Sequence, residues 1–147
     1  MTHKQAANII RYLSVAFFFM ALVFASGAFS AFDGASKLLH DVADWPIDGS
    51  MADYTREAKW FSAIGGGIFA GYSVLFFLVV APLVEQGSSL VIRGTVISML
   101  FWFVIDSVGS VAAGVPTNVA FNLVFLALFV GPLLAIRPSA GGVPDAG

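Results

Sequence analysis

The sequence predicts an all-α integral membrane protein: an antiparallel four-helix transmembrane bundle with a short amphipathic helix in its first loop. Three observations carry that expectation. Of 147 residues, 59% are hydrophobic and 11% charged, against about 25% charge in a typical soluble domain. Four stretches approach the ~20 apolar residues that cross a bilayer: Tyr12–Phe32, Trp60–Val84, Leu90–Ala113 and Asn118–Ile136. Only "EQGSS" (Glu85 to Ser89) and "GVPT" (Gly114 to Thr117) join the last three stretches, and joints that short force neighbouring helices to run antiparallel. The chain therefore reads as one domain, 1–147, with a single extramembrane segment of any size, 33–59.

The first span follows Lys4 and Arg11 and contains "SGA" (Ser26 to Ala28), features shared with cleavable signals. Its apolar run continues to Phe32, so it reads as a crossing. Lys4, Arg11, Arg93 and Arg137 fall on one side of the four spans; Lys37, Arg56 and Lys59 fall on the other. The excess of cations places the termini in the cytoplasm, and the expected location is the inner membrane, multi-pass.

Several function classes are excluded. There are no cysteines, hence no disulfide, thiolate metal site or cysteine nucleophile. His3 and His40 are the only histidines, too few for zinc without several converging carboxylates. No metal and no cofactor are expected. Net charge is −2 and the cations are scattered singly, so no basic stripe exists for nucleic acid.

The long loop opens with "ASKLLHDVADWP" (Ala35 to Pro46), where Leu38, Leu39, Val42 and Trp45 recur at helical spacing. Pro46 ends this helix. It lies along the membrane surface as a cap over the outer end of the bundle, or as a lid over a ligand entrance. Ser50 and Asp53 then resemble a capping box. Tyr54, Arg56, Lys59 and Trp60 sit where interfacial aromatics and snorkelling cations belong. Arg56 and Lys59 read first as anchors, and second as groups that recognise an anionic head or Asp106.

"GGGIFAG" (Gly65 to Gly71) lies inside a span rather than after a strand, so it is no dinucleotide loop. Gly67 and Gly71 form a small-xxx-small pair for close helix contact. Gly65, Gly66 and Gly67 alternatively leave a bare groove for a flat lipid, quinone or isoprenoid. "VLFFLVVAPL" (Val74 to Leu83) resembles "VFLALFVGPL" (Val124 to Leu133), as two related helix pairs would.

Asp106 stands alone in an apolar helix, where an ionised Asp costs about 2.5–3.5 kcal/mol at the centre. The tight joint at Gly114 fixes its neighbours. Asp106 and Asn122 lie equally far from that glycine along the two helices, at a depth of roughly 12 Å. Ser110 and Asn118 lie one turn nearer the surface. Two rungs are expected across the hairpin, Asp106–Asn122 and Ser110–Asn118, with Gly109 and Ala113 permitting the approach. Ser107, Ser26 and Gly65–Gly67 fall at similar depth. The expected polar cluster is thus Asp106, Ser107, Ser110, Asn118, Asn122 and Ser26, with Arg56 and Lys59 at its edge.

"TREAKW" (Thr55 to Trp60) before "GGGIFAG", the single Arg93 opening the third span and "SVAAGVP" (Ser110 to Pro116) before the last resemble an uncharacterised bacterial family of small four-helix membrane proteins, DoxX-like in architecture. The resemblance covers about Thr55 to Pro138. It implies the fold and no activity.

Three functions are expected in order. The first is an interaction or accessory subunit of a larger membrane assembly, with membrane lipid and either that complex or a second copy as partners. The second is a binding module for a small apolar ligand in an outer-half cleft around Asp106. The third is a proton-coupled small-solute transporter. One aspartate and two amides make no acid–base pair, so an enzyme is not expected.

Overall fold

A computed structural model describes residues 1–49 and 52–137 of the chain. The described residues are all helical, without strands: α1 (His3–Ser26), α2 (Gly34–Asp44), α3 (Arg56–Glu85), α4 (Ser89–Ala112) and α5 (Asn118–Leu134). Three of these, α1, α3 and α4, are long and apolar enough to cross a membrane; α5 is equally apolar but has 17 residues.

Helix α1 differs most from expectation. It starts at His3 rather than Tyr12 and ends at Ser26 rather than Phe32. Its first turn is polar, which hides it from a hydropathy reading. Thr2 and Gln5 fix it there with a reciprocal capping box. The residues that follow Ser26 turn sharply, leaving Phe29 and Phe32 exposed. Tight packing holds Gly27: a Cβ there would stand 2.7 Å from the Ser36 hydroxyl and 2.8 Å from that of Ser62. Ser50, and with it the expected capping box to Asp53, lies outside the described residues. Thr55 caps α3, its hydroxyl accepting from the Ala58 amide.

Within α3 the winding loosens to a π-helical segment at Phe76–Val80. Pro82 follows directly. A proline has no N–H and its ring crowds the carbonyl four residues back. The chain answers with an i→i+5 bond, Ala81 N–H to the Phe76 carbonyl. The turns after α3 and α4 each place a glycine in the left-handed region, Gly87 at φ 78° and Gly114 at φ 84°.

Contacts along the helices alternate in direction. Gly65 and Gly66 of α3 meet Phe24 and Ala25 of α1, while Arg11 of α1 pairs with Glu85 at the far end of α3. The Met1 ammonium donates to the Ala135 carbonyl at 2.6 Å, and Phe17 meets Phe125 and Phe129 of α5. Thus α1 runs between α3 and α5, and α4 packs along α5 on the far side.

The apolar core gathers at one end. Ala6, Ala7 and Ile10 of α1 meet Val80, Ala81 and Val84 of α3 and Leu133 of α5, with Val91, Ile92 and Val96 of α4 against them. Small side chains let the four helices close here. Toward the other end α4 and α5 part from α1 and α3.

The sequence expects helix packing at Gly65, Gly66, Gly67 and Gly71 alike, and two of the four are found in it. Gly65 and Gly66 make the close approach. A Cβ on Gly66 would lie 2.5 Å from the Ala25 Cβ and 2.8 Å from its backbone. Gly67 and Gly71 face open space, with no atom within 4 Å of a built Cβ. The three consecutive glycines occupy successive helix faces, and only one face is turned to α1. Gly66→Ala is accordingly expected to lower the thermal midpoint in detergent, by about 1–3 kcal/mol of overpacking. Gly67→Ala is expected to hold or raise it, since alanine favours helix over glycine by up to about 1 kcal/mol.

Candidate functional site

The α4–α5 hairpin brings the predicted polar residues together. Asn122 Nδ2 donates to Asp106 Oδ1 at 2.7 Å, and Asn118 Nδ2 donates to the Ser110 hydroxyl at 2.9 Å. Both rungs expected from the register are present. The cluster is denser than two rungs. Asp106 Oδ1 also accepts from Asn118 Nδ2 at 3.1 Å and from the Ser110 hydroxyl at 3.2 Å. Asn122 Nδ2 reaches the buried Ser107 hydroxyl at 3.3 Å. One carboxylate oxygen therefore collects three donors, two from α5 and one from its own helix.

This cluster forms one wall of a cavity of about 550 Å³. Phe17, Met20 and Phe24 of α1 and Phe69 of α3 stand opposite. Trp102, Gly109, Ala113, Phe121 and Phe125 complete the α4 and α5 walls. The floor is aromatic: Phe17 meets Phe125 and Phe129 edge-on at 4.8 and 4.9 Å, and Phe76 braces Phe129 at 5.2 Å.

Helix α2 roofs the space. Leu39, Val42 and Ala43 turn into it, while Leu38 and Trp45 are exposed. Both ends are tied down. At the start, the Ser36 hydroxyl donates to the Phe24 carbonyl at 3.4 Å; at the end, Thr117 donates to the Asp44 carbonyl at 3.4 Å. Buried Asp41 gathers the returning loop, accepting from the Gly49 amide at 2.9 Å.

His40 also lines the cavity. Its Nδ1 lies 2.8 Å from the Ser36 carbonyl and 2.6 Å from the Tyr54 hydroxyl. Nε2 has no partner among the described residues.

Three expected members of the cluster, Ser26, Lys59 and Arg56, do not line the cavity. Ser26 bonds back to the Val23 carbonyl at 2.6 Å and does not line the cavity. Lys59 donates to the Ser30 hydroxyl at 2.6 Å, and Arg56 is exposed. Neither cation bonds Asp106, whose partners among the described residues are Ser110, Asn118 and Asn122. Gly109 serves as cavity wall rather than helix contact, since nothing lies within 4 Å of a Cβ built on it. The bare glycine groove expected on α3 is likewise displaced: the enclosed space lies between α1 and the α4–α5 hairpin.

The sequence reading does not place His40, Tyr54 or the aromatic walls at the site; it takes Tyr54 as an interfacial aromatic. A signal existed for the walls. Trp102, Asp106, Gly109, Ser110 and Ala113 recur at one helical face, as do Asn118, Phe121, Asn122 and Phe125. Among the described residues no group of three or more metal-ligating side chains converges.

The clearest charge interaction lies outside the cavity. Lys37 bridges Asp53 at 2.7 Å and Asp33 at 3.3 Å. The hydrogen bond that Lys37 donates to Asp53 raises the Lys37 ammonium above its usual value, aided by Asp33; the same bond lowers the Asp53 carboxyl. The pair fades as pH falls through the lowered Asp53 value and as it rises through the raised Lys37 value.

Comparison with family models, with curated proteins and with solved structures finds no match. The DoxX-like resemblance therefore rests on the quoted residues.

Two outcomes follow from this geometry. A double-mutant cycle with Asp106→Ala and Asn122→Ala, read by unfolding in detergent, is expected to give a favourable coupling of about 0.6–1.7 kcal/mol, the span for hydrogen bonds between membrane helices. Asp53→Asn is expected to return the Lys37 ammonium toward its ordinary value, followed by NMR of its side chain through the alkaline range.

Proposed function

We propose that this chain is a four-helix integral membrane protein that binds a small, largely apolar molecule in the cavity beneath α2. The cavity carries the reading. Ligand sites are concave, mostly apolar spaces of about 300–1,000 Å³ with a few convergent polar groups. Here about 550 Å³ is walled by aromatic rings and carries the Asp106 cluster on one side.

Membrane integration has its own support. Large apolar side chains are exposed along the outer faces, including Phe19, Phe61, Phe101, Ile105 and Leu128. A water-facing protein seldom leaves so extensive an apolar surface bare. Helix α5 reaches the lower bound of ~17 residues for a crossing, and two further apolar residues, Ala135 and Ile136, follow its end. Met1 lies against Ala135, so the start of α1 and the end of α5 share one end of the protein. The cation bias sets that end in the cytoplasm, and the roofed cavity then opens on the outer half of the membrane. The resemblance to DoxX-like proteins fits this architecture.

A role as accessory subunit rests on composition alone, whereas the cavity gives ligand binding a place. Gly109→Leu tests it. A Cβ built on Gly109 meets no atom within 4 Å, and from there a leucine extends into the cavity that Gly109 lines. Protein purified in mild detergent is expected to carry a small-molecule adduct by native mass spectrometry, and Gly109→Leu is expected to lose it while keeping its thermal midpoint. An adduct unchanged in the variant, or no adduct in either, counts against the reading.

A further inference from the structure

The polar wall of the cavity is unbalanced. Each asparagine turns its amide N–H₂ toward Asp106, so each turns its carbonyl oxygen away. Asp106 spends Oδ1 on three donors, and its Oδ2 accepts from none of the described residues. The side-chain carbonyl oxygens of Asn118 and Asn122 likewise have no partner among the described residues. None of these three oxygens is sealed off, because no fully buried side-chain polar atom among the described residues lacks a partner. They open onto accessible space, and the space that Asp106, Asn118 and Asn122 line is the cavity.

Charge leans the same way. Asp44 lines the rim, and no Lys or Arg lines the cavity at all. Lys37 is held by Asp33 and Asp53, and Lys59 by Ser30. The donors available to a ligand are the Trp102 indole and His40. A carboxylate or phosphate entering here would meet two aspartates and two amide carbonyls with no cation to offset them. An acceptor-only head such as a quinone carbonyl would displace water from the same oxygens and leave them unmatched.

We propose that the cavity selects an amphiphile whose head is a hydrogen-bond donor, an amine ahead of an alcohol, and rejects carboxylates. The head lies against Asp106 Oδ2 and the asparagine carbonyls, while the apolar body lies among Phe17, Phe24 and Phe69. The proposal rests on the ligand-binding reading above and assigns it a chemical class.

The test uses the full chain in phosphatidylcholine nanodiscs with Trp45→Phe and Trp60→Phe, which leaves Trp102 as the reporter. Three probes share one chain and differ in the head: dodecylamine, dodecanol and dodecanoate. Their binding is read from Trp102 fluorescence. Dodecylamine is expected to bind at least about tenfold tighter than dodecanoate, with dodecanol between, as one charge-assisted hydrogen bond implies. Asp106→Asn, nearly isosteric, is expected to collapse the order, and Asp44→Asn at the exposed rim to narrow it. Equal binding of amine and carboxylate, or an order that survives Asp106→Asn, overturns the head-group assignment and leaves the cavity reading intact. If Asp106→Asn does not fold, the ranking in the parent protein and in Asp44→Asn decides alone. No Trp102 response to any probe overturns the cavity reading, and this proposal with it.

Discussion

The carboxylate of Asp106 ties α4 to α5, and the shape of the site depends on that tie. In an apolar surrounding a helix pair gains little from hydrophobic burial, so it relies on packing and hydrogen bonds. Helix α4 packs chiefly on α5. At the closed end it is also held by the core around Ile10 and Val84. Beyond that core, Asp106 and its three donors hold the hairpin together. Because the tie runs between α4 and α5 rather than toward α1, it lets the pair diverge from α1 as one unit. The gap that divergence opens is the cavity.

Side-chain size sets where the helices part. The closed end uses Ala6, Ala7 and Ala81, fully buried, which bring backbones together. Higher up α1 the residues facing inward are Phe17, Met20 and Phe24, which hold backbones apart. On α3 the close contact persists past that point because Gly65 and Gly66 receive Phe24 and Ala25. Small meets large along α1–α3, and large meets large between α1 and α5. One seam therefore stays tight along its length while the other widens.

Much of this was legible in the sequence, and the part that was not has a physical reason. The Asp106–Asn122 and Ser110–Asn118 pairs followed from one constraint, since a short joint at Gly114 leaves the two helices almost no freedom to slide. Nothing comparable fixes α1 against α3, because the 33–59 segment between them is long. Register there depends on which glycine faces the partner, and Gly67–Gly71 carried the familiar spacing while Gly65 and Gly66 carried the contact. The bounds of α1 were misplaced for a related reason. Hydropathy weighs Phe29 and Phe32 as interior and His3 to Asn8 as exterior, but caps and turns obey local hydrogen bonding. Thr2 with Gln5 at one end and the crowding at Gly27 at the other outweigh the apolar count.

The roof explains why a polar network gathers on the long loop. An eleven-residue helix such as α2 is too short to be stable by itself, and it must lie across a gap rather than on a solid core. Its inward face offers only Leu39, Val42 and Ala43 for packing. Polar ties supply the remainder: Ser36 to the end of α1, Tyr54 to His40, Lys37 to Asp53, Thr117 to the end of α2. Two of these, Lys37 to Asp53 and Thr117 to Asp44, are exposed, where water weakens them. The Thr117 edge is the weaker one. It has a single long hydrogen bond, whereas the Ser36 edge shares Tyr54, His40 and the Phe24 carbonyl. Access to the cavity is therefore easiest beside Asp44 and the start of α5, the rim nearest Asn118.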